Sequence, residues 1–282
     1  MDYQSLLLGA YEEPEIQEEE RVVIENPYDG DSCAGRSADR TYDLSVLNTS
    51  IPAGELVEMV QNAMANDRRN RGGPRGIRML FYGVSGGGKS RLAHYIADSI
   101  GKKVISKNAS DIFAMYVGES EKNIARAFSE AEDKGCVLLF DEVDSFFRER
   151  SYATQRFEIT ETNEFLTQME NYGGIVICTT NFREIMDRAM QRRFHIMVEF
   201  KALDDEGVEI LLDKFFPQFD FSEEQLGRLC RYESATPGDF GNIHSRLRFL
   251  APEKVNAEYV IQELCRCQEE KQCGRKTVGF MR

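Results

Sequence analysis

Gly83-Val84-Ser85-Gly86-Gly87-Gly88-Lys89-Ser90 decides how the rest of this chain is read. The stretch matches G-x4-G-K-[ST] at every fixed position, the pattern of a phosphate-binding P-loop. Its flanks supply the context the pattern needs. Ile77 to Tyr82 is an apolar run with the character of a buried strand, and Leu92, Ile96 and Ile100 follow at helical spacing. In a strand–glycine loop–helix arrangement, consecutive backbone N–H groups face one concavity, and the helix N-terminus adds partial positive charge. Gly83, Ser85, Gly86, Gly87, Gly88 and Arg91 are therefore expected around a nucleotide's phosphates. Lys89 is placed to reach the β- and γ-phosphates and Ser90 to hold Mg²⁺.

Downstream of this loop, strand and helix signals alternate. Strands are expected at 104–106, 136–140, 175–178 and 195–200, and helices at 120–134 and 158–172, with Ser120 as cap candidate for the former. Alternation of this kind implies a parallel sheet sandwiched by helices, an α/β fold. After Leu203 the strand signal vanishes. Helices are expected at 205–215, 222–231, 239–250 and from 256 to about 268, a small all-helical unit. Upstream, 51–66 has an amphipathic helical pattern, with Leu56, Met59, Val60, Ala63 and Met64 on one face, and 67–76 reads as a basic, glycine-rich loop. The expected organisation is an acidic tail over 1–40, a flanking helix and linker over 41–75, an α/β domain over 76–202 and a helical lid over 203–282.

Charge separates these parts. The 282 residues carry a net −13, of which −9 falls in residues 1–43, where twelve acidic residues face three arginines. A segment so acidic and so poor in apolar residues is expected to stay disordered, either as a solvating tail or as a docking site for a partner. The near-balanced remainder gives no electrostatic footprint for a nucleic-acid backbone, so nucleic acid is not expected as a partner. No apolar run is long enough to span a bilayer, and the first residues lack a basic stretch ahead of Leu6-Leu7-Leu8. A cytoplasmic protein without membrane association is expected. Seven cysteines, an odd number, point to reduced thiols, with Cys136 and Cys178 as core residues. Cys265-x-Cys267-x5-Cys273 lacks the paired C-x2-C and the nearby histidine of a zinc site. His94, His195 and His244 are unclustered and read as structural.

Four further features carry chemistry. Val137-Leu138-Leu139-Phe140-Asp141-Glu142 is an apolar strand ending in two acids, and ligands of open parallel sheets sit at the carboxyl ends of strands. Asp141 suits a water-mediated Mg²⁺ contact, and Glu142 suits a general base for an attacking water. Asn181 ends the next core strand, where an amide can hold that water or the γ-phosphate; alone it is a common turn residue. Arg192 and Arg193 precede the last strand. Adjacent arginines are ordinarily a solvated patch, but Arg is also the residue offered in trans to a transferring phosphoryl group. Tyr116 and Val117 stand beside Gly118 on a loop, where apolar side chains suit the gripping of a polypeptide; a buried Tyr–Val pair is the alternative.

Taken in order, these residues resemble the AAA clade of the AAA+ ATPases over about Asp43 to Leu250. The resemblance rests on Walker A at 83–90, an aromatic–aliphatic–glycine loop at 116–118, Walker B at 137–142, a sensor Asn at 181 and arginine fingers at 192–193. The loop reads Val-Ser-Gly-Gly-Gly where the family has Pro-Pro-Gly-Thr-Gly, which alters loop stiffness and keeps the phosphate-binding positions. The resemblance implies that Asp43, Leu44 and Gly238 flank the adenine; no strong sensor-2 arginine can be assigned, although Arg246 and Arg248 lie on the helix that would carry one. It also implies an ATP-hydrolysing, Mg²⁺-dependent ring, hexameric, with fingers acting between subunits and Tyr116 pulling on a protein substrate. A nucleotide-gated adaptor or scaffold, in which ATP binding controls assembly, is the alternative.

Overall fold

The computed structural model describes residues 44–69, 76–112, 118–144, 156–182 and 188–276. After a 3-10 turn at Leu44–Val46, the chain runs through α1 (Ala53–Arg69), β1 (Ile77–Gly83), α2 (Lys89–Ser99), β2 (Val104–Asn108), α3 (Ala109–Ile112) and α4 (Glu119–Lys134). It continues through β3 (Val137–Asp141), α5 (Arg156–Asn171), β4 (Ile175–Thr180), α6 (Arg188–Gln191) and β5 (Ile196–Phe200). Four helices close it: α7 (Asp205–Phe215), α8 (Glu223–Cys230), α9 (Pro237–Leu247) and α10 (Ala257–Lys276), with a 3-10 turn at Pro252–Lys254 before the last.

The five strands form one sheet in the order β2-β3-β4-β1-β5, and every pairing is parallel. Because side chains alternate across a strand, each strand serves two cores. Leu80, Leu138, Phe140, Val176 and Cys178 point into one layer with Ile124 and Phe128 of α4 and Phe165, Leu166 and Met169 of α5. Met79, Phe81, Val137, Leu139, Ile177 and Val198 point into the other with Leu56 and Val60 of α1 and Leu92 and Ile96 of α2. Burial on both faces is why these strands read as unbroken apolar runs. Each fully buried ring, Phe81 or Phe140 for example, contributes roughly 1.5–3 kcal/mol through the area it removes from water. A third core lies among α7 to α10, built on Leu211, Phe215, Phe240, Ile243, Val260 and Leu264, and Val46 of the first turn also packs there.

Several expectations shift. Met59 lies outside the buried face of α1, and that helix carries on to Arg69, into the stretch expected to be loop. Ser120 is not the cap of α4. The chain enters that helix through Gly118 in the left-handed conformation (φ 84°), leaving Ser120 one step inside and wholly buried. Helix α9 starts at Pro237 rather than 239, because proline fits the first helical position and the Asp239 carboxylate turns back to accept from the Thr236 N–H at 2.8 Å. Helix α10 runs eight residues past 268, where Lys271 Nζ reaches Asp239 Oδ2 at 2.6 Å and gives the extra turns an anchor.

Candidate nucleotide site

The site is assembled where β1, β3 and β4 end side by side. Gly83 closes β1 at φ 123°, and a Cβ there would stand 2.1 Å from the Phe200 carbonyl oxygen of β5. Only glycine allows the loop to leave so close to the sheet. Gly88, also left-handed at φ 92°, opens α2 with no side-chain cap, so the helix's first amides face the cleft.

Lys89 follows at once and is nearly buried. Its Nζ donates to the carbonyls of Gly83 (3.1 Å) and Val84 (2.8 Å) and to Asn181 Oδ1 (2.8 Å). Burial pushes its pKa down to about 8, against the pull of Asp144, Asp141 and Glu142. Ser90 Oγ lies 2.9 and 2.8 Å from the two carboxylate oxygens of Asp141. Thr179, on β4, donates its hydroxyl to Asp141 Oδ1 and accepts from the Glu142 N–H at 3.0 Å. Glu142 itself sits at φ 55°, a conformation that non-glycine residues rarely adopt and that concentrates at functional sites. Asp144 accepts from the Thr180 hydroxyl and from the Asn181 N–H, the latter at 3.2 Å.

These groups border a cleft of about 430 Å³. Ser85, Gly86, Gly87, Gly88, Lys89, Ser90 and Arg91 form its floor, Asp141, Glu142 and Asn181 one wall, and Gly238 with Asn242 and Ser245 of α9 the facing wall. The helical unit touches the loop directly, since the Gly238 N–H donates to the Gly86 carbonyl at 2.9 Å. Gly83 stands behind the floor and contributes only its carbonyl to Lys89.

Leu44 does not line the cleft. It packs toward the core shared by α1 and α2, and Val46 and Leu47 take the apolar edge of the cleft instead. The 3-10 turn explains the exchange by rotating successive side chains to different sides. Arg192 and Arg193 are also outside it. Arg193 pairs with Glu170, and Arg192 is exposed. Arg246 pairs with Glu263 at 3.2 Å and Arg248 lies over the Phe249 ring, and neither lines this cleft. Asp43, Tyr116 and Val117 lie outside the described residues. Cys136 and Cys178 are buried in the core, with burial raising the Cys178 pKa. His94 is exposed on α2, while His244 is packed against the Phe215 and Phe216 rings.

Thr179, Asp144, Val46 and Leu47 were not singled out from the sequence. A signal existed for the first two: the Thr179-Thr180 pair of hydroxyls ends an apolar strand just before Asn181, and Asp144 is a third acid close behind Asp141 and Glu142. Ser90 and Asp141 present hard oxygens to one point, a donor set that fits Mg²⁺ and leaves room for coordinated waters and phosphate oxygens.

Sheet, glycine loop, paired acids and a helical wall at the cleft mouth define a P-loop nucleotide-binding module. The comparisons narrow the class. Residues 79–202 match the family model of the ATPase family associated with various cellular activities (AAA), and over this segment the chain has the sequence pattern and fold of an AAA+ module. A Methanothermobacter thermautotrophicus protein named as a homologue of a 26S proteasome regulatory subunit is 30% identical over 175 residues, 58% of this chain and 46% of that protein. The peroxisomal ATPase PEX6 of Saccharomyces cerevisiae is 30% identical over 201 residues, 63% of this chain and 19% of its own length. The chain thus spans less than half the length of these curated relatives. The crystal structure of the FIGL-1 AAA domain in complex with ADP has the same fold, with a TM-score of 0.59 at 19% identity over 84% of this chain and 90% of that one.

Proposed function

We propose that this chain binds Mg-ATP in the cleft, hydrolyses it to ADP and phosphate, and uses the cycle to remodel, thread or disassemble a protein substrate as part of a homohexameric ring. The convergence of Lys89, the Ser90–Asp141 pair, Glu142, Asn181 and Gly238 on one cleft supports this reading most strongly. The match to the AAA family and to a peroxisomal ATPase adds to it.

In this account Lys89 exchanges its carbonyl partners and the Asn181 oxygen for phosphate oxygens. The exchange frees the Asn181 amide to orient a water in line with the γ-phosphate. Glu142 takes the proton of that water as it attacks phosphorus, and the bond to the bridging oxygen breaks. Ser90 would hold Mg²⁺ directly and Asp141 through water. Bound magnesium supplies neutralising charge on the β- and γ-phosphates. A neighbour's arginine, from the Arg192–Arg193 turn, meets the charge developing on the transferred group. Asp43 would flank the base together with Val46 and Leu47, Tyr116 and Val117 would grip substrate, and the acidic tail over 1–40 would dock a partner.

Imaging the Glu142→Gln protein with saturating ATP by cryo-electron microscopy tests the assembly. Closed rings of six subunits with polypeptide density in the channel are expected. Monomers, or rings with an empty channel in the presence of an unfolded substrate, would instead favour the nucleotide-gated adaptor.

A further inference from the structure

Arg192 and Arg193 are neighbours in sequence with opposite surroundings. Arg193 Nε donates to Glu170 Oε1 at 2.5 Å, and the Arg193 carbonyl accepts from Arg78 Nε at 2.8 Å. The same Arg78 guanidinium donates to the Glu170 carbonyl at 3.3 Å and meets His195 Nε2 at 2.6 Å. The His195 N–H, in turn, donates to the Arg78 carbonyl at 2.9 Å. One guanidinium on β1 therefore ties the end of α5, the turn before β5 and the first residue after that turn into a single unit. Arg192 is exposed and makes no hydrogen bond or ion pair with a described residue.

The asymmetry has a consequence for reach. To cross to another subunit, Arg193 would have to abandon Glu170 and leave that carboxylate without its partner, whereas Arg192 has no bond to a described residue to give up. The Arg193–Glu170 pair alone is half-exposed and weak. What fixes the turn is the pair together with the hold of Arg78 on the Arg193 backbone. We infer that the two arginines divide the work: Arg192 is the guanidinium that reaches a second copy's nucleotide, and Arg193, Glu170 and Arg78 form a clamp that sets where it points. This rests on the ring reading above. Arg193, Glu170 and Arg78 are positioning residues, and of these four only Arg192 touches the neighbour's phosphoryl group.

Lysine and charge-reversal variants separate the roles in a steady-state ATPase assay. Arg192→Lys keeps the charge but loses the planar fork, and kcat is expected to fall roughly 10²-fold or more with little change in KM for ATP. Arg193→Lys can still pair with Glu170, so kcat should stay within about threefold of the parent. Arg193→Glu should lower kcat, and adding Glu170→Arg should restore most of it by re-forming the pair with its charges exchanged. Melting temperatures report whether any variant merely fails to fold; if Arg193→Glu does, the lysine pair decides. Equal losses in the two lysine variants, with no rescue by charge exchange, would overturn the division of roles and leave a two-finger ring standing. Full activity of Arg192→Ala would sink the finger itself, and with it this part of the ring reading.

Discussion

Lys89 is the residue proposed to hold the phosphates, and its environment makes a testable statement about pH. Burial holds its pKa down at about 8, from an ordinary 10.5. In the empty cleft it is charged below pH 8 and loses its proton as pH rises past that point. Phosphate oxygens favour the charged form, so nucleotide binding must pull the pKa back up and take up a proton in that window. The sign follows: ATP affinity should be flat from this group below about pH 7 and should weaken as pH rises above 8, by up to about tenfold per pH unit. Titration calorimetry at pH 9 in buffers of different ionisation enthalpy should show uptake approaching one proton. Absence of uptake at pH 9 would mean that Lys89 already holds its proton in the empty cleft, and the pH dependence drawn here would be wrong. At this scale the sequence was legible wherever one local pattern carried the chemistry, as in residues 83–90 and at Asp141-Glu142. Thr179 was not, because its partner Asp141 is 38 residues away and becomes its neighbour only through the pairing of β3 with β4. Leu44 was misplaced for a related reason, since a 3-10 turn decides which of Leu44, Val46 and Leu47 faces the cleft.

Among elements, the contact between α9 and the glycine loop joins the helical unit to the proposed nucleotide cleft. A Cβ on Gly238 would stand 3.0 Å from Gly86 Cα and 3.3 Å from its oxygen, both backbone atoms that cannot swing aside. Gly238→Val should therefore push α9 off the loop and lengthen the bond from Gly238 to the Gly86 carbonyl. ATP affinity is expected to fall by about tenfold, near 1.4 kcal/mol, with hydrolysis reduced further because the facing wall is displaced. Equilibrium nucleotide binding checks it, and an unchanged Kd would show that the lid contact does not contribute to binding. Element boundaries show where sequence signals compete. The Thr236-Pro237-Gly238-Asp239 stretch contains both a capping box and an N1 proline, and these set the start of α9 two residues ahead of the periodic apolar pattern. Gly118 overrode the serine cap at α4 because a left-handed glycine already turns the chain into the helix. The far end of α10 depends on Lys271 finding Asp239 across 32 residues, which periodicity along one helix cannot reveal.

At the scale of the whole molecule, alternating apolar runs and helical patterns foretold a parallel sheet covered on both faces and a helical unit after Leu203. The strand order β2-β3-β4-β1-β5 was not legible, since alternation is compatible with several orders and long-range pairing selects among them. That order is what brings Lys89 from β1's loop, Asp141 and Glu142 from β3 and Asn181 from β4 to one cleft. The central claim is that this cleft hydrolyses ATP with Glu142 as the base. It is tested most directly by measuring single-turnover hydrolysis and equilibrium ATP binding side by side in the parent protein and in Glu142→Gln. The substitution keeps size and local geometry and removes only the proton acceptor, so hydrolysis should fall by roughly 10²-fold or more while the Kd for ATP stays within about threefold. A Glu142→Gln protein that turns over ATP at the parent rate, or a parent protein that binds ATP without hydrolysing it, would contradict the account.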